Sequence, residues 1–417
     1  MQSEKVVVVG AGIVGAASAI WLQRAGYDVT VVDKGEPGMG ASYGNGGVLA
    51  SCAIVPVTTP GLISKSPKYL MDPNFPLFMR WRYLPKLLPW LARYLSYANV
   101  KDTRRIAQAM STIVGDSLEQ HQALTAGTPA AKWVQPSEYH FAYKNRAAFE
   151  ADSFVWNLRK EAGFVPEIYT GKDIQERQPI LGQNTGLLAV NQDHGFILNP
   201  GAYVKDLMAI LVENGGRFVQ AEVKDFDLSG GQISAVDTDQ GRFECDKAVL
   251  AAGIWSGPLM KKLGLSVPLE AERGYHILFK GPNIVPTSPM MMSAGKFVAT
   301  PMEQGLRCAG VVEFGGLSER KSDAPLKLLR KSVKELFPTL EADSEEEWLG
   351  YRPAPADSLP FIGEVGDSKV FTAFGHHHVG LTGGPKTGRL VADLIAGNRP
   401  NTDMSAYEPN RFKSQAS

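Results

Sequence analysis

The residues with the most specific chemistry lie near the start of the chain. Gly10-Ala11-Gly12-Ile13-Val14-Gly15 has the spacing G-x-G-x-x-G, and Asp33 follows about 20 residues on. This spacing suits a dinucleotide. Gly10 permits a tight turn, Gly12 lets a pyrophosphate approach the backbone, and Gly15 lets a helix pack against a strand. The helix start offers free N–H groups and partial positive charge to phosphates. The Asp33 carboxylate accepts from ribose hydroxyls and repels a 2′-phosphate, which disfavours NADP. The spacing alone does not separate NAD from FAD.

Three further groups of residues bear on that question. The loop Gly40-Ala41-Ser42-Tyr43-Gly44-Asn45-Gly46-Gly47 is small enough to lie along an extended dinucleotide. Ala248-Val249-Leu250-Ala251-Ala252-Gly253, followed by Ile254 and Trp255, reads as an apolar strand ending in a small-residue turn. Near the C-terminus, Gly350-Tyr351-Arg352-Pro353 precedes Gly375-His376-His377-His378-Val379-Gly380-Leu381-Thr382-Gly383-Gly384. A Gly-rich loop that opens a helix sets a helix N-terminus against a negative group. The three histidines suggest a metal. Consecutive side chains rarely converge on one ion, however, and the sequence puts no carboxylate close by, so no metal site is expected.

The elements that carry these residues follow from apolar patterning. Lys5–Val9 reads as a buried parallel strand, then a helix to about residue 25 with Gly26 at C′, then a strand over 27–33. Long helices are expected over 103–127, and shorter ones over 202–214, 326–337 and 388–396. Strands are expected over 220–227, 232–237 and 247–250. The 417 residues suffice for two domains, and 43 basic residues against 43 acidic ones leave no net charge. That balance argues against a nucleic-acid binder. Cys52, Cys245 and Cys308 are far apart and form neither a metal signature nor a disulfide framework, so a reducing, cytoplasmic setting is expected. No run of apolar residues is long enough to span a membrane.

Taken in order, these motifs resemble the D-amino acid oxidase superfamily of FAD-dependent oxidoreductases, most closely its bacterial D-amino acid dehydrogenase-like branch. The likeness covers most of the chain and is specific at residues 5–50, 247–256, 350–363 and 374–396. It implies an α/β fold: a Rossmann-like FAD-binding domain from residues 1–60, 195–260 and 345–417, and a mixed-sheet α+β substrate domain from 61–194 and 261–344. It implies FAD contacts from Gly10, Gly12, Ile13, Val14 and Gly15, and from Asp33 and Lys34. Ser42, Asn45, Gly46, Gly47 and Val48 match the loop beside pyrophosphate and flavin. Val223 matches an adenine contact, and Ala252, Gly253 and Trp255 match the turn over the cofactor. Gly380, Leu381, Thr382 and Gly383 match the flavin-edge loop. In relatives an arginine after a Gly-aromatic pair binds the substrate carboxylate. Arg352 holds that place, and its guanidinium makes a bidentate fork with a carboxylate. Tyr275 falls on a strand resembling one that lines the substrate pocket, where its hydroxyl would share that carboxylate. His378 completes the catalytic candidates. No cysteine stands beside Arg352, so the FAD is expected to be non-covalent. The HHH run departs from the commoner Gly-His-small pattern and leaves the substrate open.

The function so implied is hydride transfer from the α carbon of a small amino acid, a D-amino acid, to flavin N5. Electrons would pass on to a quinone or other respiratory acceptor. Alternatives are a cyclic or N-methyl substrate (D-proline, hydroxyproline, sarcosine), a 2-hydroxy acid, or a flavin-bearing subunit of a multi-chain complex. Residues 75–97 interleave Trp81, Tyr83, Trp90 and Tyr94 with Arg80, Arg82, Lys86 and Arg93. This composition suits peripheral contact with the inner face of the cytoplasmic membrane, and equally suits packing against the substrate domain. Pro85 and Pro89 are expected to break any helix there.

Overall fold

The computed structural model of the protein describes residues 3–64, 72 and 74–413. Residues 65–71 and 73 of the Pro- and aromatic-rich stretch before residue 96 lie outside them. One sheet has six strands in the order Phe361–Glu364, Val370–Phe374, Lys247–Leu250, Lys5–Val9, Asp28–Asp33, Arg217–Gln220. All its neighbours are parallel except the first pair. Val6 to Val9 and Val29 to Val32 are buried or nearly so, as a sheet covered on both faces requires. The helix Ile13–Arg24 connects Lys5–Val9 to Asp28–Asp33, and Gly26 leaves that helix at φ +93°. This is a Rossmann-like unit whose later strands come from the middle and end of the chain.

The larger sheet has ten strands and is mixed. Its edge pair, Ser344–Pro355 and Leu269–Lys280, is antiparallel and twelve residues long on each side. Gly305–Phe314 lies on the other side of Leu269–Lys280. Val48–Leu49, Val134–Tyr143 and Leu187–Ile197 form the far end. Ser344–Pro355, which carries Arg352, therefore belongs to the larger sheet, although its residues from 345 on were expected in the FAD part. A separate three-stranded sheet spans Val223–Ser229, Gln232–Thr238 and Gly241–Glu244.

Several local expectations change. The helices expected over 103–127 are present as Val100–Val114 and Ser117–Thr125, the first starting three residues early. The 220–227 strand divides into Arg217–Gln220 and Val223–Ser229, each in a different sheet. The last helix begins at Gly380, eight residues early, and contains Pro385. Proline has no N–H for the Leu381 carbonyl, and the buried His121 Nε2 lies 2.9 Å from that oxygen instead. Residues Leu84–Ser96 form one helix, not a broken one. Pro85 sits in its first turn, where no N–H is needed, and Pro89 forfeits a single bond. Its Leu87, Trp90 and Tyr94 are buried, and Trp90 Nε1 donates to the Ala354 carbonyl at 3.0 Å. Trp81 and Leu88 face solvent at 63% and 52% exposure. No helix among the described residues is long and apolar enough to cross a membrane.

The Ile13–Arg24 and Gly380–Ile395 helices meet at Gly388. A Cβ there would lie 2.6 Å from Ala17 C and Ser18 N, both backbone atoms that cannot rotate away. Gly388→Ala is therefore expected to destabilise the fold by about 1–3 kcal/mol through overpacking. Denaturant unfolding measures this, and a midpoint equal to that of the native protein would contradict the contact.

Candidate active site

A cavity of about 950 Å³ is lined from both sheets. Its lining includes the glycine turn, Asp33, Lys34, Val223 and Trp255 together with Gly274, Arg352 and His378, and the Trp255 ring meets that of Tyr351, beside Arg352, at 6.2 Å. Gly10 has φ +113°, and a Cβ on it would meet the Ala251 carbonyl oxygen at 2.5 Å. Gly15 is off the cavity wall; its Cβ would strike the Gly10 oxygen at 1.9 Å, so its role is packing. The Asp33 oxygens accept from Ala11 N at 2.7 Å and Gly35 N at 2.9 Å. The carboxylate is thereby held on the wall with lone pairs to spare for hydroxyl donors. Ser42 Oγ accepts from Ile13 N at 3.0 Å, while Val14 N in the same first turn has no helical acceptor. Lys34 Nζ lies 4.0 Å from the Trp255 ring centre. A cradle of glycines, a fixed acid and free helix N–H groups fits the adenosine and pyrophosphate of FAD. The continuous cavity fits the flavin half beyond.

The small-residue loop is held by its carbonyls. Arg307 Nη1 donates to Tyr43 O and Asn45 O at 2.8 and 2.9 Å, and Thr300 Oγ1 donates to Gly46 O at 2.6 Å. His276 Nδ1 is 3.1 Å from Gly44 O. Thr382 Oγ1 donates to Val48 O at 3.3 Å. Gly47 and Gly383 are not on the cavity wall. Gly47 N is bonded to Asn45 Oδ1, and Gly383 packs on Ile113. Gly380, Leu381 and Thr382 do line it, as the first turn of the last helix and not as a loop before it.

Arg352 and Glu272 are direct cross-strand partners in the edge pair. Arg352 Nη1 donates to Glu272 Oε1 at 2.6 Å. His378 Nε2 meets the same oxygen at 2.6 Å, and His377 Nε2 meets Oε2 at 2.8 Å. Glu272 is 4% exposed. Burial alone would raise its carboxyl, but the His378 and His377 rings outweigh that and hold it well below the usual carboxylate range. His378 faces the cavity with its side chain partly exposed, and loss of hydration around the ring pushes its pKa down to about 4. The carboxylate missing from the sequence neighbourhood of the histidines is thus supplied from 105 residues away. The Glu272, His377 and His378 ligand atoms lie within 4.8 Å of one another. The adjacent rings do converge, because His377 has φ +48° and turns the chain sharply between them.

Tyr275 lines the cavity, but its hydroxyl is not available to a substrate. It donates to Glu313 Oε2 at 2.6 Å and accepts from Arg273 Nη2 at 3.2 Å. Arg273 is fully buried and needs Glu313 as its counter-ion, and that pair captures the hydroxyl. His376 stands apart from its neighbours, with Nε2 at 2.8 Å from Thr387 Oγ1. Glu272 and Arg307 carry no distinguishing sequence signal: Glu272 shares its strand with Glu270, Arg273 and Lys280, and Arg307 shares its strand with Glu313.

Arg307 is 1% exposed, and burial pushes its pKa down to about 10, leaving it charged at neutral pH. Arg307→Met would strand two carbonyls at about 1–3 kcal/mol each and loosen retention of the dinucleotide. Thermal unfolding and fluorescence titration of the released cofactor measure both, and native values in each would remove Arg307 from this role.

The chain matches the family described as FAD dependent oxidoreductase over residues 5–394. It is 38% identical to a D-amino-acid oxidase of Bradyrhizobium diazoefficiens, with 99% of each chain covered. It is 29% identical to a D-amino acid dehydrogenase of Paramagnetospirillum magneticum, over 98% of this chain and 99% of the relative. An L-proline dehydrogenase from P. horikoshii superposes with a TM-score of 0.75 at 18% identity, covering 99% of both chains, which speaks to the fold. On the glycine turn, the cavity and this match over nearly its whole length, the chain belongs to the FAD-dependent oxidoreductase family.

Proposed function

We propose that this flavoenzyme oxidises a small amino acid, a D-amino acid, at its α carbon. The observation that carries the reading is the Arg352 guanidinium on the cavity wall. Nη1 is taken by Glu272, while Nε and Nη2 have no protein hydrogen bond among the described residues. That free edge is a planar pair of donors of the kind a carboxylate matches. The names of the D-amino-acid oxidase and dehydrogenase relatives support the substrate class.

FAD, when bound, supplies an oxidised ring that takes a hydride at N5. The chain's own residues orient the substrate. Arg352 fixes the carboxylate, and Gly274 beneath it makes room for the guanidinium, because a Cβ there would lie 2.5 Å from Arg352 Cζ. Val311, Val312 and Phe297 give the cavity an apolar wall that limits water. Oxidation yields an imine that water hydrolyses to a 2-oxo acid and ammonia, while a cyclic substrate such as D-proline or a hydroxyproline yields a cyclic imine. Bleaching of the flavin without oxygen, scanned over D- and L-amino acids, hydroxyprolines, sarcosine and 2-hydroxy acids, tests the reading. Reduction by a 2-hydroxy acid and by no amino acid would overturn it. No reduction by the purified chain alone would point to a flavin-bearing subunit.

Arg352→Ala is expected to cost about 2–5 kcal/mol of transition-state binding, the range for breaking a desolvated charge pair. Gly274→Ala should do part of the same damage by displacing the guanidinium. The ratio of kcat/KM to that of the native enzyme reads both. Normal substrate dependence in Arg352→Ala would refute the assignment.

The FAD is bound non-covalently in this reading. All three cysteines are buried, and none lies beside Arg352. Acid precipitation should leave yellow flavin in the supernatant, and flavin in the pellet would sink the idea. The Glu272–His377–His378 cluster is read as metal-free, since Arg352 Nη1 already sits 2.6 Å from the shared carboxylate and would repel a dication. Elemental analysis should find no stoichiometric zinc, iron or copper.

The electron acceptor proposed is a quinone or respiratory carrier, reached from the inner face of the cytoplasmic membrane. Support comes from the dehydrogenase relatives and from Trp81, Arg82, Lys86 and Leu88, which are exposed together around the start of the Leu84–Ser96 helix. The oxidase name of the relative at 38% identity favours a second reading, in which oxygen is the acceptor. Reoxidation in air against a soluble quinone, with flotation on anionic liposomes, decides between them. Rapid peroxide production without liposome binding would end the quinone proposal.

A further inference from the structure

The buried carboxylate of Glu272 does more than balance Arg352, because of where it leaves the lone pair of His378. An ionised carboxylate has only acceptor sites, so every partner must bring a proton. Arg352 Nη1 and His378 Nε2 share Oε1, and His377 Nε2 takes Oε2. A neutral His378 therefore carries its proton on Nε2 and an unprotonated lone pair on Nδ1. That Nδ1 has no protein partner among the described residues. The His378 side chain is 39% exposed and lines the cavity, whereas that of His377 is 7% exposed. His377 N donates to Pro353 O at 3.0 Å, tying the histidine loop to the residue after Arg352. The left-handed backbone at His377 costs free energy that an arbitrary loop would not retain.

Resting on the amino-acid oxidation proposed above, we infer that Glu272 and His378 form a carboxylate–imidazole pair in which His378 Nδ1 accepts a hydrogen bond from the substrate nitrogen. When the Cα–H bond gives up its hydrogen and electron pair to the oxidised cofactor, the nitrogen lone pair becomes the second C–N bond. The nitrogen turns positive, and its N–H becomes a stronger donor. The bond to Nδ1 strengthens with it, so the pair stabilises the transition state more than the bound substrate. The iminium product keeps its proton, held in the bond to Nδ1, and water then adds to its carbon. His378 is the residue in contact with substrate, and Glu272 is a positioning residue that sets the tautomer. Loss of hydration around the ring keeps the imidazole unprotonated at neutral pH, as an acceptor must be.

The test compares flavin reduction without oxygen against binding of propanoate, a carboxylate with no nitrogen. His378→Ala is expected to slow reduction about 100-fold, in the range for a positioned acid–base group, while propanoate affinity holds within about twofold. His378→Asn, which keeps an oxygen acceptor near the Nδ1 position, should recover part of the rate. Glu272→Gln should also slow reduction, and the double variant should be no slower than the worse single one, because the two act as a unit. In ¹⁵N spectra of histidine-labelled enzyme, His378 should show a protonated Nε2 and a bare Nδ1, and Glu272→Gln should remove that preference. A native reduction rate in His378→Ala, or a rate loss matched by lost propanoate affinity, would overturn the inference and leave amino-acid oxidation standing. If no amino acid reduces the native flavin, the functional reading falls first and this role with it.

Discussion

A small-residue loop on a cavity wall must find donors for its carbonyls elsewhere in the fold, because those carbonyls point into protein and an unpaired buried carbonyl is costly. Residues 43–48 meet this constraint by lending nearly every carbonyl to a distant side chain: Arg307, His276 and Thr300 from the larger sheet, and Thr382 from the last helix. These bonds join the two sheets along the cavity. A single buried guanidinium serves two of the carbonyls. The arrangement is worth its desolvation because unpaired buried carbonyls cost more than paired ones return.

The second organising charge is Glu272. A buried carboxylate without donors would take up a proton, and here three N–H groups converge on it and keep it ionised. Its cross-strand register with Arg352 is set by a continuous twelve-residue antiparallel ladder, so the guanidinium cannot drift. Gly274, two residues along the same strand and on the same face as Glu272, leaves the space the guanidinium fills. One edge of Arg352 is thereby committed to the protein and the other is free. Orientation of this kind, fixed before a ligand arrives, is what a site needs to hold a carboxylate at a defined angle.

The Phe75–Tyr97 segment illustrates how composition overstates freedom. Its aromatics read as one amphipathic group, but the Leu84–Ser96 helix buries Trp90 and Tyr94, stacked at 4.6 Å, and exposes Leu88, while Trp81 stands exposed in the short turn before it. Helical geometry, with 3.6 residues per turn, sorts residues that a linear reading pools.

Local signals determined a great deal from sequence alone. The glycine spacing with Asp33, the Lys5–Val9 strand and the Ala-rich helix are legible because each depends on sterics and periodicity within a few tens of residues. Arg352 is legible by its type and its neighbours. The His triplet is not, and neither is Tyr275. Whether His377 and His378 meet a carboxylate depends on Glu272, 105 and 106 residues earlier, and on a positive φ that no pattern announces. The Tyr275 hydroxyl was lost to Glu313, 38 residues on, because a buried Arg273 had to be neutralised there. Arg307 reaches its carbonyls across more than 260 residues. Sequence spacing fixes chemistry where neighbours in the chain are neighbours in space; strand register and the neutralisation of buried charge decide the rest, and both exist only once the sheets have formed.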